Sequence, residues 1–257
     1  MSKVNLYVDC TSGVSGDMLC QCLTDLCGNG AFVEEQQQLV SDELHHEAQH
    51  QAEHDHGQNH EHGDGQNHSH DHAAHPQPYT HRSFQSLLGL LSDCQLNDDV
   101  KAMTLKIYTI LAAAEAQVHG ETLETVHFHE VGRPQAIINM VGIAAALSAL
   151  KPKQVFCSKI IDGIGTVKCA HGEISVPVPA VRALMDTSNL PFGNEEVKME
   201  MVTPTGLAAL LAMEPQYMAG RPEPDCILKT AKTRGARWEG SNVTGGYMVM
   251  HLCNFAF

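Results

Sequence analysis

Between Val4 and His81 the sequence has no lysine or arginine, although thirteen aspartates and glutamates fall in the same stretch. A chain without clustered cations there cannot draw a phosphate backbone through counterion release, which excludes nucleic acid as the expected partner. Long apolar runs are also missing. The nearest, Ala136 to Leu150, is interrupted by Asn139, Gly142 and Ser148 and falls short of the roughly 18 residues a bilayer span needs. The opening MSKVNLYVDC lacks a secretory leader, so the cytoplasm is the expected compartment and no membrane partner is expected. Nine cysteines, an odd number, then read as reduced thiols rather than a disulfide framework.

What is present is a mixture of strand and helix signals. Val4 to Val8 alternates as a strand, followed by a Gly/Ser turn and a helix from Met18 to Leu26. Ser83 is a candidate N-cap for a helix carrying Phe84, Leu87, Leu88 and Leu91. Val100 to Val118 keeps the 3/4 apolar spacing of a long helix that Gly120 stops. Gln135 to Leu150, opened by Pro134, is apolar nearly all round and is expected to be the most buried helix. Strands are expected at Gln154 to Ile161, Gly165 to Ala170, Glu173 to Val178, Lys198 to Val202, Asp225 to Thr233 and Gly246 to Phe255. Short helices are expected at Pro179 to Met185 and Leu207 to Met213. The fold class is α/β (mixed α and β), with one or two sheets, helices packed on them and a disordered His-rich loop. Residues 1–40 and 82–257 form the folded domain. Residues 41–81, with twelve histidines and only alanine as an aliphatic residue after Leu44, read as a flexible loop.

Within that loop His54, His56, His60, His62, His68, His70 and His72 form repeated H-x-H pairs. Imidazole is a borderline ligand suited to Ni²⁺, Zn²⁺ and Cu²⁺, and flexible ligands suit storage or delivery better than a fixed centre. A polar linker of no metal role has the same composition. His127 and His129 would share one face of a strand, with Glu130 at its end, and can hold a metal, grip a phosphate or be ordinary surface histidines. Cys169 and His171 offer a soft and a borderline ligand, or a packed thiol beside a turn. Thr203 and Thr205 open a helix and either cap it or hold an anion. Ser12, Gly13, Ser15 and Gly16 form a tight turn or a backbone anion nest, with Asp9 and Asp17 on either side.

These segments, in order, are Tyr7 to Met18, the histidine stretch before His81-Arg82, Ala114 to Gly120, Val126 to Gly132, Cys169 to Ala180 and Thr203 to Gly206. Together they resemble the LarC family of nickel-insertion proteins, in its amino-terminal part. The resemblance implies a CTP-dependent cyclometallase, a lyase-type activity that places Ni²⁺ into a pyridinium bisthiocarboxylate mononucleotide precursor, the nickel-pincer cofactor. It implies catalytic Asp9, Asp17 and Glu130, and metal-binding His127, His129 and His171 beside the histidine loop. It also implies cofactor-binding Ser12, Gly13, Ser15, Gly16, Thr203 and Thr205. CTP with Mn²⁺ or Mg²⁺ would enter through a carboxy-terminal domain, here absent or supplied by a separate carboxy-terminal chain, and a homo-oligomer is compatible with the pattern. Two aspartates four apart in the family stand here as Gln135 and Asn139, which carry no charge, and a glycine-rich segment is shortened to Thr233-Arg234-Gly235-Ala236-Arg237. These departures keep a non-catalytic nickel or zinc buffer as the rival reading. A metallohydrolase is weaker, since the inner histidines follow no standard zinc spacing.

Overall fold

A computed structural model of the chain describes residues 4–55, 82–169, 172–238 and 245–255. Its centre is a five-stranded sheet of order β10-β11-β1-β4-β9. The strands are β1 (Asn5–Asp9), β4 (Val155–Cys157), β9 (Gln216–Tyr217), β10 (Ile227–Arg234) and β11 (Tyr247–Cys253). β1 runs parallel to β4 and antiparallel to β11. Every residue of β1 is buried, because both faces are covered. Leu6 and Val8 point into the main core, and Tyr7 packs with Phe156 and Cys253 on the opposite face.

Seven helices are described: α1 (Gly16–Cys27), α2 (Gly30–Asp55), α3 (Phe84–Asp93), α4 (Asp98–His119), α5 (Pro134–Leu150), α6 (Pro179–Asp186) and α7 (Pro204–Ala212). α5 is the hub, packed against α1, α2, α4 and α7, as its apolar circumference requires. Three small ladders complete the fold: β2 (Arg82–Ser83) with β3 (His127–Phe128), β5 (Ile160–Asp162) with β8 (Phe192–Asn194), and β6 (Thr166–Cys169) with β7 (Gly172–Ser175). The mixed α/β class is as expected. Among the described residues no helix is long and apolar enough to cross a membrane.

The structure corrects four expectations. The first is the flexible loop from residue 41, because α2 continues through Asp55. Val33, Val40 and Leu44 keep one stripe of it in the core, and Gln36 accepts the Asn97 amide at 2.8 Å. Glu47 pairs with the buried Arg82 guanidinium at 2.6 Å. Three buried apolar side chains over about three turns, plus an ion pair to a buried guanidinium, carry this polar sequence as helix. The rest of the predicted loop, 56–81, lies outside the described residues.

Second, the strand expected at Gln154 to Ile161 is two. The Ser158 hydroxyl takes the Cys10 amide at 2.8 Å, and the chain then leaves β1 to pair β5 with β8. Third, Lys198 to Val202 forms no ladder beyond the single parallel bridge of Val202 to Val14. The donors a ladder would use are taken by Asp162, whose Oδ1 accepts from Gly163 N at 2.8 Å, Met201 N at 2.9 Å and Val202 N at 3.0 Å. Fourth, β3 is only two residues, so His127 and His129 do not share a strand face. The core takes Phe128, which packs on Tyr108 at 5.7 Å between ring centroids, and His127 is left exposed.

Asp162 is 2% exposed, so its carboxylate has no water to replace these donors. Asp162→Ala should lower unfolding stability by about 3 kcal/mol or more, because hydrogen bonds to a charged group contribute most when buried. Chemical denaturation measures this, and a loss below about 1 kcal/mol would show that the carboxylate is not a structural staple.

Candidate functional site

The bridge between Val14 and Val202 brings the turns that lead into α1 and α7 together. Val14 N donates to Met201 O at 3.0 Å and Thr203 N donates to Val14 O at 2.9 Å. The approach needs glycine on both sides. A Cβ on Gly13, at φ +86°, would stand 2.1 Å from Met201 O, and one on Gly206 would stand 2.5 Å from the Ser15 Cα. The first turns of α1 and α7 are therefore neighbours, and a cavity of about 1070 Å³ opens beside them.

The first turns of α1, α5, α6 and α7 all contribute to its wall, through Ser15 and Gly16, Arg133 and Ala136, Pro179 and Ala180, and Thr203 to Thr205. Each helix start presents a partial positive charge of about half a unit and amides that lack intrahelical acceptors. Pro134, Pro179 and Pro204 occupy the start of three of these helices, where their fixed φ suits the first turn. The Thr203 hydroxyl accepts from Gly206 N at 3.0 Å and stands 3.1 Å from that of Thr205.

The lining also carries ionic side chains. Glu115 and His119, one turn apart on α4, approach to 3.6 Å, and the His119 ring lies 6.0 Å from that of His129. Glu130, Arg133, Lys168, Cys169 and Glu200 also line the cavity. The loop from His129 to Arg133 is fixed by Tyr108, whose hydroxyl donates to Val131 O at 3.1 Å. Burial raises the phenol's pKa, which keeps that donor protonated. At the rim, Asp17 accepts from the Ser15 hydroxyl and from Ala236 N at 3.2 Å, tying α1 to the turn that carries Trp238. Trp238 is the chain's one tryptophan, and it is 4% exposed in the cavity wall.

Of the residues singled out from sequence, Ser15, Gly16, Asp17, His129, Glu130, Cys169, Thr203 and Thr205 line the cavity. Gly13 acts behind it as the close-approach glycine, and Ser12 belongs to the same turn without lining it. Asp9 is also outside the lining. Its carboxylate accepts from the Thr11 amide and hydroxyl and pairs with Arg221 at 2.8 Å. His127 is exposed and not in the wall. His171 lies outside the described residues, as do His56, His60, His62, His68, His70 and His72, whereas His54 lies on α2. Among the described residues no three His, Cys, Asp or Glu side chains group closely enough to hold a metal ion. The amides of Gln135 and Asn139 bond to each other at 3.0 Å, and Asn139 lines the cavity.

Sequence reasoning missed Glu115, His119, Glu200 and Trp238 as site residues. The four-residue spacing of Glu115 and His119 is a readable same-face signal. Nothing local marks Glu200 or Trp238, which reach the cavity only through tertiary contacts.

The chain matches the family described as "Nickel insertion protein" over residues 6–236. Relatives named pyridinium-3,5-bisthiocarboxylic acid mononucleotide nickel insertion protein include one from Acetivibrio thermocellus. It is 33% identical over 236 residues, covering 91% of this chain and 57% of that protein. The Akkermansia muciniphila relative is 36% identical over 223 residues, covering 84% and 53%. The one from Alkaliphilus metalliredigens is 33% identical over 231 residues, covering 81% and 52%. The chain thus spans about half the length of the curated relatives it matches. No solved structure matches it.

The link from Asp17 to Ala236 makes the tryptophan a reporter of the rim. Asp17→Ala should move Trp238 emission to longer wavelength and speed exchange of the Ala236 amide, because the turn loses the acceptor that holds it. Unchanged emission together with unchanged exchange would mean that Asp17 does not order this wall.

Proposed function

Since the chain belongs to the nickel insertion protein family, we propose that its cavity holds the metal-free precursor of the nickel-pincer cofactor while nickel is placed into it. The observation that carries this reading is the convergence of four helix starts on one cavity that also presents paired imidazoles and carboxylates. A pyridinium bisthiocarboxylic acid mononucleotide offers one phosphate, two thiocarboxylates and a cationic ring. The helix starts with Thr203, Thr205 and Ser15 suit the phosphate. Arg133 and Lys168 suit a thiocarboxylate, and the acidic wall suits the ring's positive charge. The cavity, at about 1070 Å³, is at the upper end of what one small-molecule ligand needs.

Nickel is the cargo. His119 and His129 are borderline donors facing the same space, and Cys169 is a softer one. When nickel takes a ring carbon's place of attachment to hydrogen, that proton must leave. Glu130, exposed at the cavity edge, is the base we assign to it, with Asp17 positioning the rim. The histidine-rich segment collects nickel beforehand.

The amides of Gln135 and Asn139 bond to each other and carry no charge, so we place CTP and its Mn²⁺ or Mg²⁺ outside this cavity, on a carboxy-terminal region of the kind the family resemblance implies.

The test supplies the chain with precursor, Ni²⁺, CTP and Mn²⁺, with and without the carboxy-terminal half of a relative, and follows nickelated product by mass spectrometry. Precursor should quench Trp238 emission, and Thr203→Val with Thr205→Val should weaken that binding by about tenfold, the equivalent of about 1.4 kcal/mol. Product should form with the added half and fall in Glu130→Gln. Absence of both quenching and product would overturn the proposal.

A further inference from the structure

A pair of histidines outside the cavity stands on α2. His46 and His50 are four residues apart on one face of the helix, and their Nε2 atoms are 3.0 Å from each other. Their rings meet edge to face, with centroids 4.4 Å apart at an interplanar angle of 80°. Two imidazole nitrogens bound at adjacent positions of one ion, each about 2.1 Å from it, stand about 3 Å apart. The spacing between these nitrogens is therefore already that of a chelate. On the far side of the first ring, His46 Nδ1 faces Glu43 Oε1 at 3.7 Å. A carboxylate at this distance, longer than a hydrogen bond, favours the proton on Nδ1 by its charge and so leaves the Nε2 lone pair facing outward.

We propose that His46 and His50 form a two-imidazole clamp for a divalent borderline cation, with Ni²⁺ as the ion and water in its remaining positions. Without an ion, one ring donates an N–H to the other. With it, the donor ring carries its proton on Nδ1 and both Nε2 atoms bind the metal, so no proton need be released. The pairing of two histidines at i and i+4 on a helix is a geometry that holds metal in other proteins too. The side chain of His46 is 62% exposed, so an ion can enter from solvent without opening the core. α2 is rigid enough to keep the pair in register, since Leu44 is buried and Glu47 holds Arg82 between and beside the two rings in sequence. His54 continues the same four-residue spacing toward the histidine-rich segment. His45 points elsewhere, its Nδ1 against Ser41 O at 2.6 Å.

The proposal is independent of the cavity. Its test uses the full-length chain with the nine histidines from His54 to His81 replaced by glutamine, titrated with Ni²⁺ alone by calorimetry. One Ni²⁺ per chain should bind. His46→Ala and His50→Ala should each abolish that isotherm, His45→Ala should leave it in place, and Glu43→Gln should weaken it by about tenfold, the low end for a supporting carboxylate. Helicity by circular dichroism should be unchanged, because the rings are surface groups and alanine favours helix. Precursor quenching of Trp238 should also be unaffected, which separates failure here from failure of the cavity reading. A background chain that takes up no Ni²⁺, or one whose uptake survives both His46→Ala and His50→Ala, overturns the clamp.

Discussion

The contact between the turn before α1 and the turn before α7 sets the geometry of the cavity. It is a single parallel bridge, Val14 to Val202, where a longer ladder would be expected. Asp162 makes the shortness tolerable, because one buried carboxylate oxygen gathers three backbone amides that would otherwise be orphaned. Glycine at positions 13 and 206 lets the two backbones meet with no side chain between them. If the bridge were extended into a regular strand pair, its amides would point along the sheet. Ended as it is, both chains turn at once into helices whose amides face a common space.

The same economy appears around α5. Its apolar surface accepts α1, α2, α4 and α7, so its first turn is held at the cavity by packing on several sides. Gln37 of α2 reaches in to donate to Ile138 O at 3.2 Å, close to Gly142, where any side chain would collide with it. A polar residue thereby locks a mostly polar helix against the hub. This lock, together with the Arg82–Glu47 pair, accounts for helix persisting into a composition that by itself cannot bury a core.

Legibility in the sequence followed the range of the forces involved. The helix α4 was readable from its apolar spacing and from Gly120, and the structure ends it there with a left-handed cap. Ser83 and Thr203 were readable as caps and serve as caps. Local chemistry decides these features, so a local reading finds them. Asp162 was invisible because its partners lie about forty residues away, and nothing in Ile160-Ile161-Asp162-Gly163 announces them. The pairing of His127 with His129 failed for the opposite reason. A strand period was assumed to continue, but the core needed only Phe128, and once that ring was buried the chain turned. For the site, the turn residues Ser15, Gly16, Thr203 and Thr205 were found through their motifs, whereas Trp238 and Glu200 arrive by the fold alone.

The amides at positions 135 and 139 bear on how charge is distributed. Two carboxylates at this spacing, added to Asp17, Glu115, Glu130 and Glu200, would crowd negative charge around one cavity and need a cation to be stable. Gln135 and Asn139 bond to each other instead and ask for none. The apo cavity is therefore electrostatically tolerable without metal, and less able to retain one. A chain that concentrates its acids and histidines in the first third, and relaxes the charge demand at the cavity, separates holding nickel from reacting it. On the function proposed above, α2 and the segment after it would do the gathering and the cavity the positioning. An ion leaving the histidines would then be committed only when a precursor with its own sulfur donors is present to receive it.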